Sequence, residues 1–142
     1  MTIAAILGGK GHDVQSIGGA TRVVDAVAML AERRIGALPV VDDDQVVGIF
    51  SERDVIYCVA KEGADALARQ VGELMTAPAV TVTPDYSALA ALSQMTERRI
   101  RHLPVLEQGR MIGLVSIGDI VKYRIDRIEA EARAMRDYIQ QA

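Results

Sequence analysis

Apolar positions along this chain follow two alternating rhythms, one of helices and one of strands. Residues 3–7 (Ile-Ala-Ala-Ile-Leu) predict a short helical turn closed by Gly8 and Gly9. Val14 to Ile17 reads as a short strand. From Thr21, apolar Val24, Val27, Ala28 and Leu30 recur at helical spacing, ending near Gly36. Leu38 to Val41 and Val46 to Phe50 are β-branched runs on either side of Asp42-Asp43-Asp44-Gln45, which predicts a hairpin. A second helix is expected from Ser51 through Val59. Residues 64–75 then predict a connecting helix carrying Leu67, Val71 and Leu74.

The same programme runs again. Val80 to Val82 reads as a strand, Pro84-Asp85 as a turn, and Ser87 to about Arg98 as a helix. Leu103 to Leu106 and Met111 to Val115 flank Glu107-Gln108-Gly109 as a second hairpin, and a final helix starts at Ser116. Residues 32–58 align without a gap on residues 97–123 at a constant offset of 65, with ten of 27 positions identical. Such a repeat is a unit that buries its apolar face against its neighbour. The expected fold is therefore mixed α/β: two β-α-β-β-α repeats in pseudo-two-fold arrangement, sharing one core. Residues 1–13 form an N-terminal arm, 14–60 repeat 1, 61–78 the connecting helix, 79–123 repeat 2, and 124–142 a C-terminal helical extension. At 142 residues the chain is one domain by length, and each half alone would be marginal.

In the last helix, Val121, Ile125, Ile128, Ala132, Met135 and Ile139 fall at spacings of 4, 3, 4, 3 and 4, a heptad seam. The seam could lie along the chain's own core. Its extension past the repeat favours pairing with a second subunit, hence a homodimer. The mixed charges on its other faces argue against a basic membrane-binding helix.

Composition removes several functions. Half the residues are hydrophobic and a quarter charged, ordinary for a globular protein. The formal charge of −3 gives no broad attraction to nucleic acid or to an anionic membrane. One Phe and no Trp leave no stacking platform for bases. Cys58 is the single cysteine, so neither an intrachain disulfide nor a cysteine zinc cluster can form. His12 and His102 are the only histidines, with no metal-ligand spacing around them. The N-terminus lacks a signal-peptide pattern, and no window has the length of a membrane span. The expected location is cytoplasmic.

Candidate chemistry lies in two Ser-x-x-Asp elements, Ser51-Glu52-Arg53-Asp54 and Ser116-Ile117-Gly118-Asp119, each after a second hairpin strand. Serine at an N-cap with an acidic residue three positions later is close to a capping box. An Asp carboxylate in that strand–turn–helix context can also accept hydrogen bonds from two adjacent ribose hydroxyls. The two readings are compatible.

The duplicated pattern Arg-Arg-Ile-x-x-Leu-Pro-Val, an acidic turn, then apolar-x-Gly-apolar-apolar-Ser-x-x-Asp-apolar resembles a pair of cystathionine-β-synthase (CBS) domains, over about residues 14–123. The extension containing RIEAEARAMRDYI is similar to small stand-alone bacterial members. The resemblance implies a regulatory module that binds adenosine compounds: AMP above all, or ADP, ATP, S-adenosylmethionine or NAD(H), with no metal required. It also implies that each repeat's first strand joins the other repeat's sheet. One cleft would then contain Ser51, Asp54 and Thr81, and the other Ser116, Asp119 and Ser16. Aspartate would hold ribose, and the walls around Val14–Ile17 and Ala79–Val82 would hold adenine.

The halves differ where the family places phosphate. Arg101 and His102 precede Leu103-Pro104-Val105, whereas the first repeat has Gly36 and Ala37 there. Arg53 sits inside the first Ser-x-x-Asp, where the second has Gly118. Arg53, Arg101 and His102 are thus expected to converge on the Asp54 cleft, which should bind a phosphorylated ligand more tightly. Lys10, between glycines, could reach a phosphate from the arm. The matched pairs Arg33-Arg34 and Arg98-Arg99 read as solvated helix ends, His12 as a surface residue, and Cys58 as a small packed hydrophobe.

The chain is therefore expected to be a non-catalytic sensor addressing an unknown effector protein in trans. The alternatives are an assembly protein with vestigial clefts and, with less in the sequence behind it, a nucleotide-processing enzyme.

Overall fold

Two hairpins with the same register organise the chain. The computed structural model describes residues 1–141, so Ala142 of the predicted extension lies outside the described residues. In order, the elements are α1 (Ile3–Lys10), α2 (Val23–Arg33), β1 (Ala37–Asp42), β2 (Gln45–Ser51), α3 (Glu52–Glu62), a 3-10 stretch (Gly63–Ala68), α4 (Val71–Leu74), α5 (Ala88–Arg98), β3 (His102–Glu107), β4 (Arg110–Ser116) and α6 (Ile117–Gln141). β1 pairs antiparallel with β2 from Ala37↔Ser51 to Asp42↔Gln45, and β3 with β4 from His102↔Ser116 to Glu107↔Arg110. The register shifts once in each, between Val40 and Val41 and between Val105 and Leu106. Asp43 and Asp44 close the first turn at φ 50° and 60°, and Gln108 and Gly109 the second at 52° and 79°. Two left-handed central residues suit the two-residue turn whose twist matches the strands.

The core is built as two clusters. Phe50, Leu38 and Val40 pack with Val23, Ala26, Leu30 and Val71 around the first hairpin. Leu103, Val105 and Val115 pack with Ala88, Ala91, Met95 and Ile120 around the second, and Ile3, Ile6 and Leu7 of α1 complete that cluster. The N-terminal helix therefore belongs to the core of the second repeat. Glycine stands at the same place in both hairpins because a chain segment crosses there. A Cβ at Gly48 would lie 2.7 Å from Met75 Sδ and Thr76 O, and one at Gly113 2.9 Å from Leu7.

Several sequence expectations are corrected. α1 does not stop at Gly8 and Gly9 but runs to Lys10, and Gly11 caps it with its N–H donating to Leu7 O at 2.7 Å. Burial of Ile3, Ile6 and Leu7 outweighs the glycine penalty of about 1 kcal/mol per residue. Val14–Ile17 and Val80–Val82 are not strands. Each contributes one parallel bridge, Ile17↔Val40 and Val82↔Val105, before turns at Gly18 and Thr83 lead the chain away. These bridges go to the segment's own hairpin, so the expected exchange of first strands between repeats does not occur.

The connecting helix is also broken, into the 3-10 stretch and α4. The backbone between them is committed to the first repeat: Val23 N–H donates to Arg69 O, Val71 N–H to Thr21 O and Gly72 N–H to Gly19 O, at 2.8–2.9 Å. Beyond Tyr123, which still packs against the second cluster, α6 leaves the core, and Val121, Ile125, Ile128, Met135 and Ile139 of the seam are all exposed. The seam does not lie along the chain's own core.

Candidate functional site

Ser51 ends β2 and caps α3. Its side chain accepts from Asp54 N–H at 3.3 Å, while its own N–H donates to Asp54 Oδ2 at 2.9 Å, a complete capping box. Both groups are half-buried. The cap fixes the carboxylate at the strand end and leaves Oδ1 facing outward, where it accepts from the Thr76 hydroxyl at 2.9 Å. Thr76 is held there by a two-way backbone pairing with Ile49 of β2, 2.9 Å each way.

This carboxylate opens on a cavity of about 230 Å³ between the two repeats. Ile49, Pro78, Ala79, Val80 and Ile100 give it apolar walls. Arg53, Arg99, Arg101 and His102 supply the cationic and imidazole groups, with Glu52 among them. Arg53 Nη1 donates to Arg99 O at 2.5 Å. Arg101 stands 3.9 Å from Glu52, and with both side chains more than half exposed this pairing is weak. Burial, aided by the charges of Arg101 and Lys10, holds the His102 imidazole below its ordinary value, so it is mainly neutral at neutral pH.

The second Ser-x-x-Asp makes the same cap: Ser116 N–H donates to Asp119 Oδ2 at 2.8 Å, and Asp119 N–H to Ser116 Oγ at 3.1 Å. The surroundings differ. Lys10 Nζ, at the end of α1, donates to Asp119 Oδ2 at 2.5 Å and to Leu114 O at 2.6 Å. Burial pushes the Asp119 carboxyl up, but the Lys10 ammonium and the Ser116 amide outweigh it and hold the group below its ordinary value. His12 Nδ1 lies 2.8 Å from Ile112 O, tying the arm down beside β4.

Ser51, Arg53, Asp54, Arg101 and His102 thus line one cavity, and Lys10, Ser116 and Asp119 form a second cluster. Thr81 and Ser16 join neither: both are exposed residues just before a bridge, outside the cavity lining and outside these hydrogen bonds. The hydroxyl on Asp54 comes instead from Thr76, five residues earlier, because the segment entering the second repeat pairs with β2 there. Thr76 lies outside the aligned repeat window, so no sequence signal marked it. Arg99 had one, as half of an Arg-Arg pair: it is a left-handed C-cap at φ 55°, and its carbonyl accepts from Arg53. Among the described residues no group of three His, Cys, Asp or Glu side chains could hold a metal ion, and no helix is long and apolar enough to cross a membrane. Cys58 is buried, and burial followed by the Asp54 and Glu62 charges pushes its thiol up.

The duplicated α/β unit with a capped aspartate at each strand end defines a tandem-repeat module. The chain belongs to the CBS domain family, whose model matches residues 11–61 and 71–126. It is 37% identical over 123 residues to the mitochondrial CBS domain-containing protein CBSX3 of Arabidopsis thaliana, a match spanning 83% of this chain and 60% of that protein's length. The structure of a CBS-domain containing protein from Agrobacterium tumefaciens superimposes with a TM-score of 0.84 at 38% identity, covering 87% of this chain and 99% of that one. The CBS domain pair of protein MJ0100, solved with 5′-methylthioadenosine and S-adenosylmethionine, superimposes with a TM-score of 0.78 over 89% of this chain and 98% of that one. At 22% identity that likeness is one of fold alone.

Proposed function

We propose that this chain is a non-catalytic regulatory module that takes one adenosine-containing compound per chain, in the Asp54 cleft, and signals its presence to a partner protein in trans. AMP fits the chemistry best, ahead of ADP, ATP, NAD(H) and S-adenosylmethionine. The observation that carries this reading is one cavity presenting a fixed carboxylate at one side, apolar walls, and three arginines at its mouth. Asp54 accepts from the ribose hydroxyls, Ile49, Val80 and Ile100 enclose adenine, and Arg53, Arg99 and Arg101 meet phosphate. A cavity of about 230 Å³ suits a single nucleoside, with further phosphates running out to the arginines. Family membership supports the regulatory class, and the fold is one that in MJ0100 was solved with two adenosine compounds.

In the Asp119 cleft Lys10 is a competitor for the carboxylate, and a ligand entering there must displace its ammonium. The Ser51 hydroxyl is spent on the cap, donating to Asp54 Oδ2 at 3.2 Å while its oxygen accepts from Asp54 N–H at 3.3 Å, which supports binding over turnover. The module acts as a homodimer. Its signal requires that ligand bind one packing arrangement of repeats or subunits better than another.

Isothermal titration with AMP, ADP, ATP, S-adenosylmethionine, NAD⁺ and NADH tests the reading. One saturable event per chain is expected, weakened at least about tenfold in Asp54→Ala and retained in Asp119→Ala. Silence across the panel, with folded and ligand-free protein, sinks the nucleotide reading and leaves an assembly role with vestigial clefts. Conversion of a bound nucleotide, lost in Asp54→Ala, overturns the non-catalytic part.

A further inference from the structure

We propose that α6 pairs in parallel and in register with α6 of a second copy of this chain, as a two-stranded coiled coil. The inference builds on the homodimer just proposed and assigns its surface and direction. Ile125, Ala132 and Ile139 occupy the a positions of the seam and Val121, Ile128 and Met135 the d positions. The large members are 45–63% exposed, an apolar stripe with no cover from the chain itself.

The flanking charges choose the orientation. Position g precedes each a residue and e follows each d residue, which makes Arg124 and Glu131 g, and Lys122, Glu129 and Arg136 e. In a parallel pair each g faces the partner's e five residues on. Arg124 then meets the partner's Glu129, and Glu131 the partner's Arg136, each twice by symmetry. In an antiparallel pair using the whole seam, e faces e and g faces g. Glu129 would meet the partner's Glu129, Glu131 its Glu131, and Lys122 its Arg136. An antiparallel pair slipped by one heptad restores opposite charges but leaves two of the six apolar layers uncovered. Only the parallel arrangement covers all six and pairs opposite charges throughout. Among the described residues Arg124, Glu129 and Arg136 form no intrachain ion pair, and Glu131 has a loose one with Arg127 at 3.8 Å. These groups remain available to a partner.

The test uses the full chain. Solution mass should be that of a dimer, and Ile128→Glu, an exposed position whose change spares the core, should give a folded monomer. Ile139→Cys should form a disulfide-linked dimer on oxidation, with wild type oxidised alongside as the control for Cys58. In an antiparallel pair the two copies of residue 139 would sit about 27 Å apart at opposite ends of the seam. Arg124→Glu and Glu129→Arg should each weaken the dimer about tenfold, and the double reversal should restore it to within about twofold. A monomeric wild type overturns both the homodimer and this inference. A dimer that survives Ile128→Glu, or that fails to cross-link at residue 139, keeps the homodimer and overturns parallel pairing through α6.

Discussion

The two capped aspartates begin from the same hydrogen bonds and diverge in what lies across the carboxylate. At Asp54 the crossing residue is Thr76: its amide donates to Ile49 O at 2.9 Å and its hydroxyl to Asp54 Oδ1 at 2.9 Å. At Asp119 one group, Lys10 Nζ, donates both to Leu114 O, the repeat equivalent of Ile49 O, and to the carboxylate. A neutral hydroxyl leaves Asp54 its full charge and a free lone pair. An ammonium neutralises Asp119. Arg101 and His102 of the second repeat line the Asp54 cavity together with their first-repeat equivalents, Gly36 and Ala37, so its cationic groups come from one repeat's side only at that position. The repeat preserves the cap, and segments outside the repeated window decide what lies against each carboxylate, a hydroxyl beside a cavity at Asp54 and an ammonium at Asp119.

The largest expected effect comes from removing the carboxylate of the open cleft. A hydrogen bond to a charged group is worth about 1.5–3 kcal/mol, so Asp54→Ala should weaken AMP binding by roughly 10- to 150-fold in titration calorimetry. Asp119→Ala should leave that event unchanged. Equal losses in both variants would mean that the clefts are equivalent and the comparison is wrong.

Next in size is the removal of the competing cation. Lys10→Met should free Asp119 and add a second, weaker binding event, about tenfold tighter than any residual binding there in wild type. The added event should vanish in Lys10→Met with Asp119→Ala. The Asp119 carboxyl, followed by NMR titration, should move up towards its ordinary value in Lys10→Met. A single event in Lys10→Met would show that the ammonium is not what closes this cleft.

Much of the fold could be read from the sequence because the repeat constrains it. Both hairpins, the cap at Ser51 and the starts of α5 and α6 follow from alternation, turn residues and N-cap chemistry, whereas the turns are tighter than the polar runs suggested, two residues each, because pairing extends to Asp42↔Gln45 and Glu107↔Arg110. The failures share one cause. Val14–Ile17 and Val80–Val82 have strand-like composition, but a strand needs a partner along its length, and each finds one residue of its own hairpin. Gly8 and Gly9 look like a helix end, yet burial of Leu7 beneath the second hairpin carries α1 through them. At the site, Asp54, Arg53 and Arg101 belong to the aligned window and were legible there. Thr76 and the pairing of Lys10 with Asp119 depend on which chain segment crosses which hairpin, and no local pattern encodes that. Thr81 carries a hydroxyl at the position the family pattern favours, whereas the crossing occurs five residues earlier, at Thr76.

A smaller effect should follow from trimming the mouth. Arg101 is well exposed and held only by Glu52 at 3.9 Å, so Arg101→Ala should cost AMP about three- to tenfold and adenosine nothing. Equal losses for both compounds would place phosphate elsewhere in the cleft.

The smallest effect is on stability against pH, and it comes from the one imidazole at this mouth. Burial, with Arg101 and Lys10 nearby, disfavours the charged form of His102 in the folded chain, while Asp119 and Glu52 offset this in part. The folded value lies below the unfolded value of about 6.5, so the unfolded chain binds the proton more readily. The contribution of His102 is therefore fully present above that unfolded value and is lost as pH falls from it through the folded one. Urea midpoints measured from pH 7.5 down to 5 should fall in wild type, and His102→Gln should show a shallower fall over the same range. Lys10→Met removes one of the cations that depress His102, so its loss of stability should also be shallower. Ala37, the equivalent residue in the first repeat, has no titrating group, so no second histidine step should appear at this position. Identical pH profiles for wild type and His102→Gln would show that His102 titrates alike in both states, and that the mouth of the open cleft is no drier than bulk solvent.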